Sequence, residues 1–185
     1  SKMLAGYGQV IPVTMANLKL KAQFLDGTVV EGESTIRTYR GEIDKISIDP
    51  IDASAHPSAI QAIEGADLIV VGPGSLYTSI LPKFLVPKII EAINRTSAST
   101  VYACNVATEM GETEGFTIAD HMATLRKHTV SDFADYVLAN NASLEFGSDA
   151  LGEPVIDDGR SVQPARLEMA DLTDGIKPTQ PNSIK

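Results

Sequence analysis

Cysteine occurs once in the 185 residues, at Cys104; tryptophan is missing and histidine occurs three times. A lone thiol excludes an internal disulfide, and its setting, Val101-Tyr102-Ala103-Cys104, predicts a reduced side chain packed as a small hydrophobe rather than a nucleophile. His56, His121 and His128 offer no His-x₃-His pair and Cys104 no Cys-x₂-Cys, so no metal site is expected. Continuous apolar runs of membrane-spanning length are missing too, as is a basic-then-apolar start, which predicts a cytoplasmic protein without a membrane partner. Bases are fewer than acids, 15 against 24, for a net charge of −9. The acids are scattered, so nucleic acid is excluded as a general partner, while a small anion remains possible where local dipoles outweigh the net charge.

What the chain does have is enough length for one well-buried domain. Residues 1–5 read as the end of a helix stopped by Gly6, with no N-terminal cap ahead of it, so the chain is expected to begin inside an element. From 10 to 50 the pattern alternates: Leu18, Leu20, Ala22 and Phe24 share one face, and Asp26-Gly27 is a hairpin turn into Thr28-Val29-Val30. A second turn around Tyr39-Arg40-Gly41 leads to Ile43, Ile46 and Ile48, predicting an antiparallel unit of three or four strands. From 57 to 141 helix and strand alternate. Ala59, Ile60 and Ile63 form a helix ended by Gly65, and Asp67-Leu68-Ile69-Val70-Val71 is a buried parallel strand. Leu85, Ile89, Ile90 and Ile93 form the next helix, and residues 99–106 the next strand. A helix over 118–128 and a strand at Asp135-Tyr136-Val137-Leu138-Ala139 complete a third step. This is the order of an α/β domain with a parallel sheet flanked by helices. Pro154-Val155-Ile156 and Ala165-Arg166-Leu167-Glu168-Met169 read as short edge strands, and 170–185 as an irregular tail.

Each apolar strand ends in a polar segment. The first runs into Gly72-Pro73-Gly74-Ser75-Leu76-Tyr77-Thr78-Ser79, where two glycines permit close backbone approach and four hydroxyls follow. The second runs into Asn105, Thr108, Glu109, Glu112, Thr113 and Glu114, the third into Asn140-Asn141. In open α/β sheets the carboxyl ends of the strands line the ligand crevice, where backbone N–H groups favour anions such as phosphate. Amides and hydroxyls suit a nucleotide base or sugar. Ser75 lacks a Gly-x-Ser-x-Gly context and is discounted as a nucleophile. Glu112 and Glu114 also read as solvated loop charges. Asp120 and His121 point in different directions on a helix and form no metal pair.

The segments Gly72-Pro73-Gly74-Ser75-Leu76-Tyr77-Thr78-Ser79-Ile80-Leu81-Pro82, Cys104-Asn105-Val106, Gly111-Glu112-Thr113-Glu114-Gly115-Phe116 and Asp120-His121 resemble, in this order, the YvcK/CofD-like family of gluconeogenesis factors. Gly8-Gln9-Val10-Ile11-Pro12-Val13-Thr14, and Asp26-Gly27 followed by Gly32-Glu33-Ser34, are similar to the segment that precedes the glycine loop in that family. The match spans roughly 8–141. The family's phospholactate transferases carry a Gly-Pro-Ser-Asn-Pro loop instead, so Gly74-Ser75-Leu76-Tyr77 points to the YvcK branch.

The resemblance implies a Rossmann-like three-layer sandwich with an inserted antiparallel unit, acting as a regulator of carbon metabolism and cell-wall synthesis that binds UDP-N-acetylglucosamine or a similar nucleotide sugar. On it the loop residues Gly72 to Ser79 contact the nucleotide and Asn105 and Thr108 orient it. Glu112 and Thr113 join the ligand site, Asn140 meets base or ribose, and Asp120 and His121 stand behind. No cofactor is implied for a regulator, Mg²⁺ for the alternative, a phospholactate-type transferase; an inactive fragment is the third reading. A homodimer is expected. The chain departs from the family in having no Gly-Gly-Gly-Thr-Gly loop, so an N-terminal half is expected outside it. It also carries Ile176-Lys177-Pro178-Thr179 where the family has a basic-His-Asp ending, and that sugar contact is not carried over.

Overall fold

In the computed structural model the described residues are 8–143 and 152–173. The helix end expected at 1–5 lies outside them, as does the tail beyond 173. The first unit is antiparallel. Strand β1 (Lys19–Phe24) turns through Asp26-Gly27 into β2 (Val29–Glu31), and β3 (Ile43–Asp49) pairs with the other edge of β1, in the order β2-β1-β3. The turn forms as its residues require: Gly27 has φ 86°, and the Asp26 side chain accepts the Thr28 N–H at 2.8 Å. Alternation buries Ala22, Phe24, Ile43, Ile46 and Ile48. Between β2 and β3 lies a helix the alternation does not reveal, α1 (Glu33–Thr38), in which only Ile36 is buried. Six residues are too few to display a helical period.

The second unit follows the expected α/β order. Helix α2 (Pro57–Glu64) starts at His56, whose Nδ1 accepts the Ser58 N–H, and ends at Gly65. Strand β4 (Leu68–Val71) leads through the glycine loop to a π-helical turn at Leu76–Ile80, then α3 (Leu81–Leu85) and α4 (Ile89–Arg95). The single helix expected here is thus broken. Pro87 forces Val86 into extended backbone and Lys88 takes φ 74° before the helix resumes. Strand β5 (Ser99–Ala103), α5 (Ile118–Thr129), β6 (Tyr136–Asn140) and β7 (Arg166–Ala170) follow. The parallel sheet has the order β4-β5-β6-β7, with Val70 opposite Val101 and Val101 opposite Tyr136. β7 is an edge strand as expected; of 154–156, Pro154 makes one bridge to Ala107.

Helices cover one face of this sheet, burying Val71, Thr100, Tyr102, Val137 and Ala139. On the other face Leu68 and Val70 are 56% and 58% exposed. β4 is therefore not the fully buried strand its composition predicts. The antiparallel unit lies against the helices: Ile46 N–H donates to His128 Nε2 at 3.2 Å, Lys127 Nζ meets Asp44 Oδ1 at 2.6 Å, and β3 packs on α3. The layers run parallel sheet, helices, antiparallel sheet.

Residues 157–163 form a strap along α5. At its amino end the Thr117–Asp120 capping box is clamped by Arg160, whose Nη2 donates to Thr117 Oγ1 and Asp120 Oδ2, both at 2.8 Å. Near its carboxyl end Arg126 donates to the carbonyl oxygens of Val162 and Gln163 and to Asp132.

Candidate functional site

The glycine loop leaves β4 at its carboxyl end. Gly72 has φ 81°, and a Cβ there would sit 2.9 Å from the Ala103 carbonyl oxygen, so only glycine fits between the two strand exits. Asn105, just past β5, fastens the next glycine in both directions. Its Oδ1 accepts the Gly74 N–H at 3.1 Å and its Nδ2 donates to the Gly74 carbonyl at 3.0 Å, with a further bond to Glu109 Oε1 at 3.2 Å.

The Ser75 and Thr78 hydroxyls turn inward. Ser75 caps the π-helical turn by accepting the Thr78 N–H, and its own hydroxyl donates to Glu112 Oε2 at 2.5 Å. Thr78 Oγ1 donates to Glu112 Oε1 at 2.9 Å, and Tyr77 N–H to Oε2 at 3.2 Å. The Glu112 side chain is fully buried. It is not a solvated loop charge; only Glu114 fits that description, being exposed. A buried carboxylate is tolerated because three donors and a cation meet it.

That cation is Arg37 of α1, with Nε 3.6 Å from Glu112 Oε1 and Nη2 3.9 Å from Glu109 Oε2. Gly111 makes the approach possible: at φ 81°, any Cβ there would overlap the Arg37 carbonyl oxygen. Burial, and then the neighbouring Glu112 charge, raise the Glu109 pKa against the opposing pull of Arg37 and Asn105. Arg37 was not among the residues singled out in the sequence, and its short helix gives no periodic signal that would have marked it.

The other candidates are spread out. Thr108 binds residue 153: its N–H donates to the Glu153 carbonyl, and its hydroxyl accepts the Glu153 N–H at 2.9 Å. Thr113 accepts the Glu109 N–H at 2.9 Å. Asn140, two strands away from the loop, holds Ala142 and the Leu172 N–H. Asp120 belongs to the α5 cap. His121 is fully buried, with Nδ1 donating to the Thr117 carbonyl and Nε2 unpartnered, and burial lowers its pKa. Cys104 is buried, and burial pushes its thiol up to about 12. No group of three metal-ligating side chains occurs among the described residues.

A one-directional parallel sheet, a braced glycine loop at the exit of its edge strand and a buried carboxylate behind that loop define a Rossmann-like α/β domain with a preformed polar rim. The chain belongs to the 2-phospho-L-lactate transferase CofD family, whose family model matches residues 1–170. It is 45% identical over 144 residues to the gluconeogenesis factor of Bacillus subtilis, covering 78% of this chain and 45% of that protein. To the gluconeogenesis factor of Halalkalibacterium halodurans it is 40% identical over 157 residues, 85% of this chain and 45% of the relative. The crystal structure of a UPF0052-family protein from Bacillus halodurans superposes with a TM-score of 0.83 at 36% identity, covering 92% of this chain and 57% of that one. The chain thus spans less than half the length of these two curated relatives, and it matches the C-terminal part of longer homologues.

Proposed function

We propose that the chain is the ligand-binding part of a gluconeogenesis-factor-type regulator whose ligand is a nucleotide sugar of the UDP-N-acetylglucosamine kind. The observation that carries this reading is the reciprocal bonding of Asn105 and Gly74. It fixes the loop's shape at the end of a parallel strand before any ligand arrives, which removes an ordering cost from binding. Residues 72–74 and Ser79 are the part of the loop left toward solvent, and in this reading they meet the diphosphate. Thr108, Glu112 and Thr113 act by holding the rim, and Asn140 lies on the base or ribose side. Regulation rather than transfer is favoured because the loop reads Gly74-Ser75-Leu76-Tyr77 and not the Gly-Pro-Ser-Asn-Pro of the family's phospholactate transferases. Work in the cytoplasm on carbon metabolism and cell-wall synthesis, as a dimer of the longer protein, goes with this reading.

Calorimetry with UDP-N-acetylglucosamine tests it. The chain alone should bind weakly, because part of the diphosphate contact lies in the remainder of the longer protein, and Asn105→Ala should weaken binding roughly tenfold or more, about 1.4 kcal/mol, with the circular dichroism unchanged. No saturable heat at millimolar ligand would overturn the proposal. The family description supports a second reading, phospholactate transfer with Mg²⁺. Product formed from a phospholactate donor and a deazaflavin acceptor, above a Gly74→Trp control, would favour that reading.

A further inference from the structure

The glycine loop has little left of its own with which to hold an anion. Most of its backbone N–H groups are spent within the fold: that of Gly74 on Asn105 Oδ1, that of Tyr77 on Glu112 and that of Thr78 on the Ser75 hydroxyl, while those of Ser79 and Ile80 donate to the Ser75 carbonyl. Pro73 has none. The turn behind the loop already carries the carboxylates of Glu109 and Glu112, so an anion at this rim needs a cation. Two stand near. Lys83 Nζ donates to the Ser79 carbonyl at 2.6 Å and is committed to the loop itself. Arg37 is not committed: its Nε lies 3.6 Å from Glu112 Oε1 and its Nη2 3.9 Å from Glu109 Oε2, both beyond hydrogen-bond length. Among the described residues its guanidinium donates a hydrogen bond to nothing.

At its backbone Arg37 is fixed. Ile36 anchors α1 in the core, and the Arg37 carbonyl rests on Gly111, where no Cβ would fit. At its tip it is half-exposed, with a planar fork of donors that matches phosphate oxygens in pairs. Glu109 links it to the loop. Its Oε1 accepts from Asn105 Nδ2, the same amide group that donates to the Gly74 carbonyl, while its Oε2 faces Arg37. We infer that Arg37, brought to the loop by the antiparallel unit, is the residue that grips the ligand's diphosphate, and that Glu109 is the carboxylate from which the anion draws it away. This rests on the nucleotide-sugar reading only for the identity of the anion. The two carboxylates then have different parts. Glu112 keeps its three donors wherever the Arg37 tip lies, whereas Glu109 competes with the ligand for Arg37 and repels it. The titratable groups about Glu109 are Arg37 of α1, Glu112 of its own turn and the buried Tyr102 of β5. An added phosphate charge makes Glu109 harder still to ionise, so its opposition fades as pH falls.

Titrations of this chain with inorganic pyrophosphate and with UDP-N-acetylglucosamine, followed at the Arg37 Nε–H resonance by heteronuclear NMR, test the inference; the resonance is assigned by its loss in Arg37→Lys. Millimolar pyrophosphate should move it saturably. Arg37→Ala should weaken pyrophosphate binding at least roughly tenfold, the worth of a pair of charge-assisted hydrogen bonds, with Arg37→Lys in between and Lys83→Met changing it far less. Glu109→Gln should act in the opposite direction and tighten binding roughly threefold at pH 7, an advantage that shrinks toward pH 5. A merely structural role gives losses at both positions, so weaker binding in Glu109→Gln would overturn the proposal, as would a larger loss at Lys83 than at Arg37. UDP-N-acetylglucosamine that binds without moving the Arg37 resonance would overturn it and leave the nucleotide-sugar reading standing. Pyrophosphate that moves the resonance while the nucleotide sugar gives no binding would do the reverse. No movement with either removes the anion site altogether.

Discussion

Ser75 and Glu112 stand 37 positions apart, yet the serine hydroxyl donates to the glutamate carboxylate at 2.5 Å in the buried floor of the loop. Thr78 and the Tyr77 N–H converge on the same carboxylate, so one side chain from the β5 exit holds Ser75, Tyr77 and Thr78 of the β4 exit. Glu112→Ala would leave these donors buried without a partner. It should cost about 3 kcal/mol, read as a fall in the urea midpoint, with Glu112→Gln costing clearly less. A change below about 0.5 kcal/mol for Glu112→Ala would mean the loop is held by something else.

Two glycines of one turn separate backbone strain from crowding. Gly111 and Gly115 both have positive φ, 81° and 72°, but a Cβ at 111 meets the Arg37 carbonyl while one at 115 meets nothing within 4 Å. Gly115→Ala should cost about 1 kcal/mol, the left-handed penalty alone. Gly111→Ala should cost about 3 kcal/mol or more, because α1 must also move. Equal losses in thermal melts would show that α1 gives way freely.

His128 should make the fold sensitive to mild acid. It accepts the Ile46 N–H at Nε2 and donates from Nδ1 to the Thr124 carbonyl, an arrangement that only the neutral ring allows. Burial, against that helix bond, lowers its pKa below the ordinary 6.5, and His121 shifts the same way. The unfolded chain therefore takes up the protons first as pH falls. Stability is fully present above about pH 6.5 and declines below it, until the lowered folded values are reached. Glu109 has the opposite sign: its raised pKa gives stability that is present below the ordinary 4.5 and lost as pH rises through the folded value. The comparison that isolates His128 is thus His128→Gln, whose midpoint should vary less between pH 7 and 5 than the parent's.

Cys104 should be silent to thiol reagents. With its pKa raised to about 12 by burial, it carries almost no thiolate near neutral pH. Titration with an aromatic disulfide at pH 8 should give no thiol in the native chain and one in urea. Prompt native reaction would contradict the buried placement.

Periodic apolar runs marked the parallel strands, α2 and α5, and Asp26-Gly27 marked the hairpin, because these signals live within a few residues. The glycine loop was recognisable by its composition, and Asn105 by its place after an apolar strand. Glu112 as a buried anchor was not legible, since a carboxylate in a Gly-Glu-Thr-Glu-Gly run has the same local pattern whether water or three hydroxyl and amide donors surround it. Arg37 was hidden for a related reason: its meaning comes from Gly111, which is 74 positions away. The bare face of β4 was hidden as well, because composition records what a strand is suited to and not what lies on it.

The strap over α5 has the chemistry of a closure fastened by charge. Its rivets are Arg160 on Asp120 and Arg126 on Asp132, and Arg160 is half-exposed. Dissolved salt reaches such a closure and weakens it. Ionic strength therefore sets how firmly the strap that leads into β7 is held against α5, while β7 itself stays on β6 by its backbone ladder.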